Sequence, residues 1–189
     1  MSKKIVITGG IGYIGTELCK IYSGISWNNQ ILVIDNRFIS ERVNQLRNWG
    51  IDFIHGDILD KDLITKHCKD ANIVHHLAGI TDVPRVKSES TNEKDLKIKL
   101  VAEKGTQNIL DAISDKCKII IPSTHVVYEG IEKVKNEILE DEDTKPVLSY
   151  AISKAFNEKQ LKNSGKKYII LRLGSVYGYS TDTARIDIM

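Results

Sequence analysis

The chain has 189 residues, of which 41% are hydrophobic, 28% charged and 6% aromatic, a composition that excludes disordered and fibrous classes and supports a buried core. The length suits one domain, or one domain with the beginning of a second, and argues against two full domains. Lys plus Arg number 27 against 25 Asp plus Glu, a net charge of +2 with both signs scattered, so nothing in the charge calls for nucleic acid or an anionic membrane.

Short β-branched runs alternate with longer segments of helical period. Ile5-Val6-Ile7 reads as a first strand and is far too short for a signal-peptide core. No later run approaches a membrane span, so a cytoplasmic protein is expected. Glu17 to Tyr22 follows as a helix, then Ile31 to Ile34 as a strand, Glu41 to Trp49 as a helix, Phe53-Ile54 as a strand, Lys61 to His67 as a helix and Ile73-Val74 as a strand. A long helical segment from Glu93 to Ile113 comes next, with Leu96, Leu100, Ile109 and Ile113 as its expected apolar stripe. Ile119 to Ile121, a helix over Tyr150 to Leu161 and a strand over Tyr168 to Leu171 complete the series. Near-continuous apolarity in the strands predicts that both faces are covered. The expected class is therefore α/β, a doubly wound, Rossmann-type parallel sheet with helices on both faces.

Several features carry no chemistry. The acidic stretch Glu137 to Asp143 reads as a solvated loop. Cys19, Cys68 and Cys117 are odd in number and widely spaced, so they read as reduced, buried small hydrophobes. His75 and His76 are adjacent on a strand, point to opposite faces and lack a third ligand, so no metal site is expected.

The first strand runs directly into Thr8-Gly9-Gly10-Ile11-Gly12-Tyr13-Ile14-Gly15, with glycines at 9, 12 and 15. Gly9 permits the tight turn, Gly12 the close approach of backbone N–H groups to a pyrophosphate, and Gly15 the packing of helix on strand. The helix start that follows offers unpaired donors and a positive dipole end to an anion, with Tyr13 and Ile14 in its first turn. Asp35 ends the second strand twenty residues beyond Gly15, the place of a carboxylate that accepts from both ribose hydroxyls of NAD and repels the 2′-phosphate of NADP. Arg37, two residues on, is suited to that phosphate and keeps NADP open.

Tyr150 and Lys154 lie four apart at the start of a helical segment and so share one face. A tyrosine has a reference pKa of about 10, and bringing it to about 7 takes roughly 4 kcal/mol of preferential stabilisation of the phenolate. A neighbouring ammonium and a positively charged nicotinamide supply that stabilisation. Thr124 stands in the hydroxyl-rich turn after the fifth strand, at the sheet edge where open α/β folds bind ligands. From there it can hydrogen-bond a substrate hydroxyl and polarise it towards Tyr150.

At this point the chain resembles the extended short-chain dehydrogenase/reductase proteins, in particular NAD-dependent nucleotide-sugar epimerases and dehydratases of the UDP-glucose 4-epimerase type. The resemblance rests on Thr8 to Gly15, Val33-Ile34-Asp35-Asn36, His55-Gly56-Asp57-Ile58, His76-Leu77-Ala78-Gly79, Gly105-Thr106-Gln107-Asn108, Ser123-Thr124 through Tyr128, Tyr150 through Lys154, and Leu171-Arg172 through Val176-Tyr177-Gly178, all in family order. It implies NAD as cofactor, with Asn36, Asp57 and Ile58 at the adenosine end and Leu77, Ala78 and Gly79 along the dinucleotide. It also implies Thr124, Tyr150 and Lys154 as a catalytic trio, with Lys154 on the nicotinamide ribose. In the epimerase scheme Tyr150 removes a sugar hydroxyl proton and hydride passes to NAD and returns to the opposite face, so the cofactor is recycled.

The chain departs from the family pattern in informative places. The acids that dehydratases and decarboxylases carry after the Thr are His125 and Val126 here, which points to epimerisation. Ala102 replaces a frequent Asn, Glu129 a usual Gly, and Ser175 a usual Asn. Residues 1–178 are expected to form the NAD-binding domain and 179–189 the start of a truncated or missing substrate lobe. Asp182 to Arg185 looks like the beginning of a helix. Tyr13, Tyr128 and Tyr177 are expected to pack near the cofactor. The resemblance implies a homodimer through the long helix and the Tyr150 helix. A second reading is a cofactor-binding module, or an enzyme fragment, without turnover of its own.

Overall fold

The computed structural model describes residues 2–25, 28–81, 91–132 and 137–178. Among the described residues six strands and five helices alternate: β1 (Lys4–Thr8), α1 (Tyr13–Gly24), β2 (Gln30–Asp35), α2 (Ser40–Asn48), β3 (Asp52–His55), α3 (Lys61–Cys68), β4 (Ile73–His76), α4 (Asn92–Ala112), β5 (Lys118–Thr124), α5 (Ser149–Asn163) and β6 (Lys167–Leu173). A 3₁₀ turn, His125–Tyr128, follows β5. All strands pair parallel in the order β3-β2-β1-β4-β5-β6. This is the doubly wound order, with its reversal between β1 and β4.

The alternation of side chains along β1 divides the core. Val6 joins Leu32, Ile34, Val74, Ile119 and Ile121 against Ile64 of α3, Ile109 of α4 and Leu161 of α5. Ile5 and Ile7 join Val33 against Cys19 of α1 and Leu46 of α2. Ile5, Val6 and Ile7 have no exposed surface, and each buried aliphatic of this kind contributes about 1.5–3 kcal/mol. The Asp60 side chain caps α3 by accepting from Leu63 N–H at 3.0 Å, and Thr91 caps α4 by accepting from Lys94 N–H at 3.3 Å. The three cysteines are free and buried, and burial pushes the Cys19 and Cys68 thiols up to about 12 and Cys117 to about 11.

Two expectations fail. Coverage of both faces does not extend to β6, the edge strand, where Tyr168, Ile169 and Leu171 stay exposed. On α4, Ile109 and Ile113 are buried, but Leu96 and Leu100 are exposed. The buried stripe passes instead through Ile98, Gly105, Thr106 and Ile109, and residues two positions from Ile98 lie roughly 200° around the helix from it. The acidic stretch is an exposed loop, as expected. Residues 179–189, with the helix start expected at Asp182 to Arg185, lie outside the described residues.

Candidate functional site

The carboxyl ends of the strands open onto one cleft of about 1290 Å³, at the reversal of strand order where open α/β sheets bind ligands. Every site residue expected from the sequence lines it. Gly9, Gly12, Tyr13 and Ile14 come from the glycine turn, Asp35 and Asn36 from the end of β2, and Asp57 and Ile58 from beyond β3. Leu77, Ala78 and Gly79 follow β4, while Thr124, Tyr150 and Lys154 enter from β5 and α5.

The glycine turn is built by close approach. Gly9 has φ of 72°, and a Cβ there would stand 2.7 Å from the Ala78 nitrogen, so the position excludes a side chain twice over. A Cβ on Gly15 would stand 2.4 Å from the Gly9 carbonyl oxygen. The first turn of α1 holds no acidic residue, so no side chain of the helix itself offsets the positive end of its dipole at the cleft. From outside the turn, the buried Arg42 of α2 donates to the Ile11 carbonyl.

Asp35 is buried at the cleft wall. Its Oδ2 accepts from Ile11 N–H at 3.3 Å, and its Oδ1 accepts from Arg37 N–H at 3.0 Å and Arg37 Nε at 3.4 Å. The carboxylate thus braces the glycine turn and holds Arg37 at the same end of the cleft. Asn36 Nδ2 donates to Asp57 Oδ2 at 3.1 Å, while Asp57 Oδ1 accepts from Leu59 N–H at 2.9 Å. Behind this end, a Cβ on Gly105 would stand 2.3 Å from Ile58 Cδ1, and Asn108 Nδ2 donates to the Ile58 carbonyl at 2.9 Å. The motif Gly105 to Asn108 therefore seats the loop that carries Asp57 and Ile58.

At the other end, Thr124 Oγ1 accepts from Val126 N–H at 3.2 Å and caps the 3₁₀ turn, an arrangement that leaves its own proton to be donated. Lys154 Nζ donates to the Pro122 carbonyl at 2.9 Å and lies 5.7 Å from the centre of the Tyr150 ring. Burial lowers the Lys154 pKa to about 8. A hydroxyl donor, a phenol and an ammonium on one cleft wall make a unit that can relay a proton.

Residues 5–188 match the NAD dependent epimerase/dehydratase family. This chain belongs to that family. Among its relatives, UDP-N-acetyl-alpha-D-glucosaminuronate decarboxylase of Bacillus cytotoxicus is 30% identical over 94% of this chain and 56% of its own length. CDP-paratose 2-epimerase of Salmonella typhi is 33% identical over 70% of this chain and 40% of its own. Among solved structures, a UDP-N-acetylglucosamine 4-epimerase from Methanobrevibacter ruminantium M1, in complex with UDP-N-acetylmuramic acid, superposes with a TM-score of 0.78 at 27% identity, over 96% of this chain and 57% of that one. A UDP-glucuronic acid 4-epimerase from Bacillus cereus in complex with NAD gives 0.75 at 28% identity, over 94% and 58%. The chain spans about half the length of the curated relatives it matches.

This member of the family also carries polar networks that the sequence did not announce. His76 Nδ1 meets Thr8 Oγ1 at 2.8 Å and its Nε2 meets Thr106 Oγ1 at 3.1 Å. Burial first, and the Lys154 charge second, lower its pKa to about 3, so it is neutral at physiological pH. Asn157 Nδ2 donates to Thr106 Oγ1 at 3.0 Å and to the Ala102 carbonyl at 2.9 Å; where the family often has Asn, Ala102 is engaged through its backbone. His75 turns the other way, to the Tyr22 hydroxyl at 2.7 Å, so both histidines are satisfied within the fold. Glu158, buried on α5, accepts from Ser123 and Arg172. Its place four residues after Lys154, on the same helical stripe, was the available signal.

The tyrosines divide. Tyr13 lines the cleft and donates to the Gly178 carbonyl at 2.7 Å, whereas Tyr128, expected near the cofactor, lies outside the cleft lining and donates to the Leu139 carbonyl at 3.0 Å. Tyr177 is 82% exposed and is not the packing group expected, because its side chain projects from the irregular segment beyond β6.

Proposed function

We propose that the cleft binds NAD and supports hydride chemistry on a nucleotide sugar, of the epimerase type, with Tyr150 as the base. The observation that carries this reading is the convergence of Thr124, Tyr150 and Lys154 on the same cleft as the glycine turn and Asp35. The fit to a dinucleotide rests on the absence of side chains at Gly9 and Gly12, where the turn lines the cleft, and on a buried carboxylate, rather than a hydrophobe, at the end of β2. Gly9, Gly12, Tyr13 and Ile14 would hold the pyrophosphate, Asp35 and Asn36 the adenosine ribose, Asp57 and Ile58 the adenine side, and Leu77, Ala78 and Gly79 the middle of the dinucleotide.

When bound, NAD supplies a hydride acceptor that can also return the hydride. Thr124 orients the sugar hydroxyl by donating its free proton, Tyr150 removes the hydroxyl proton, and Lys154 favours the phenolate and holds the nicotinamide ribose. With His125 exposed and its Nδ1 3.2 Å from the Leu173 carbonyl, no carboxylate stands where dehydratases and decarboxylases carry one by resemblance, which favours epimerisation. Residues 1–178 form the cofactor-binding unit in this reading. We also infer that two copies pair through α4 and α5, whose Leu96, Ile152 and Phe156 are exposed. Because the chain spans only part of its relatives, a cofactor-binding unit without turnover is the alternative.

Thermal unfolding with NAD and with UDP-glucose, UDP-N-acetylglucosamine or UDP-glucuronic acid tests both. A ligand at a hundred times its dissociation constant adds about 2.7 kcal/mol. Wild-type turnover that is lost in Tyr150→Phe, with the NAD shift retained, supports the enzyme. An NAD shift without turnover supports the binding unit, and no shift with NAD refutes both.

A further inference from the structure

The helix that bears Tyr150 and Lys154 begins without a side-chain cap of its own: Leu148 is its N-cap residue and makes no side-chain hydrogen bond. Its approach is held from elsewhere. Oε1 of Glu129 accepts from both Val147 N–H and Leu148 N–H, each at 2.6 Å. Around this clasp the two segments pair through the backbone, with Lys145 N–H donating to the Val127 carbonyl at 2.8 Å and Gly130 N–H to the Lys145 carbonyl at 2.9 Å. A Cβ on Gly130 would stand 2.5 Å from that Lys145 oxygen, so the approach is as close as backbone allows.

Glu129 is also tied to Thr124. Thr124 caps the 3₁₀ turn at its start, and Glu129 closes the same turn, with its N–H donating to the Val126 carbonyl at 3.1 Å. One short hydrogen-bonded segment thus carries the hydroxyl of Thr124 at one end and the clasp on α5 at the other. We propose that Glu129 is a positioning residue that sets the start of α5, and with it Tyr150 and Lys154, against Thr124. The assignment rests on the proton-transfer reading given above. It concerns a position where the family usually has Gly, so the clasp is a feature of this chain's own side chain.

Glu129 is exposed, so its replacement leaves the core intact. The test compares Glu129→Ala, Glu129→Gly and Glu129→Gln in the full chain by NMR. It follows amide exchange at Val147 and Leu148, titration of the Lys154 ammonium, and NAD affinity by calorimetry. Ala and Gly should speed exchange at both amides by about tenfold or more, because a loosened helix start opens locally. They should also return the Lys154 midpoint from about 8 towards its ordinary 10.5. Gln, which keeps an acceptor oxygen, should restore both signals. A Lys154 titration unchanged in Ala and Gly overturns the proposal whether or not exchange speeds, because faster exchange alone reports only the two lost hydrogen bonds, and so does a Gln variant as loose as Ala. If the wild type binds no NAD, the functional reading fails while exchange and titration still decide the clasp.

Discussion

The guanidinium of Arg172 grips both carboxylate oxygens of Glu158, Nη2 to Oε2 at 2.7 Å and Nε to Oε1 at 3.0 Å. Ser123, beside Thr124 on the cleft wall, donates to the same carboxylate. Arg172 continues outward to the Tyr128 hydroxyl and to the Glu140 carbonyl. One ion pair, buried at Glu158 and part-buried at Arg172, therefore joins α5, β5, β6 and the acidic loop around the carboxyl end of the sheet.

Glu158→Gln should destabilise the chain by about 2 kcal/mol, because it removes charge-assisted hydrogen bonds from Arg172 at a buried position. Urea unfolding at neutral pH measures this, and a loss below about 1 kcal/mol would contradict it. Burial alone would raise the Glu158 pKa, but the hydrogen bonds from Arg172 and Ser123 outweigh it and hold the carboxyl below the ordinary range. With the folded value below the unfolded one, the stabilisation is complete above about pH 4.3 and is lost as pH falls through the folded value. The Gln variant should lack this part of the acid limb, and an unaltered acid profile would refute the pairing's role.

Asp35→Ala should weaken NAD binding by about tenfold, or roughly 1.4 kcal/mol, and strengthen NADP binding. The carboxylate both faces the cleft and holds Arg37 Nε at 3.4 Å. Its removal takes away a ribose acceptor and a charge that repels the 2′-phosphate, and leaves a guanidinium suited to that phosphate. Calorimetry with each dinucleotide decides, and unchanged NAD affinity would place the carboxylate off the ribose.

Phe156→Glu should convert a dimer to a monomer at micromolar concentration. Phe156 and Ile152 on α5 are 39% and 50% exposed, and a buried unpaired carboxylate at a helix interface is costly. Sedimentation reads the outcome, and a monomeric wild type would sink the pairing.

The strands were legible because inner strands of a parallel sheet are buried on both faces, and Ile5 to Ile7 or Ile119 to Ile121 can be read without knowing their neighbours. The glycine turn, Asp35, Thr124, Tyr150 and Lys154 were legible for a related reason: each belongs to a short local pattern whose spacing limits its geometry. The stripe on α4 was misread at Leu96 and Leu100 because fourfold spacing identifies a helix but not the side that meets its neighbours.

Local pattern, then, determined the order of elements, the sheet class and the glycine turn with Asp35, while the resemblance to the family supplied Asp57, Ile58 and Leu77 to Gly79. Tertiary structure alone decided which polar groups meet. His76 finds Thr106 30 residues away, Asn157 finds Thr106 across 51, and Glu129 finds Leu148 across 19. A hydrogen bond needs its heavy atoms within about 3 Å, and for residues this far apart only the packing of the sheet and its helices brings them to that distance.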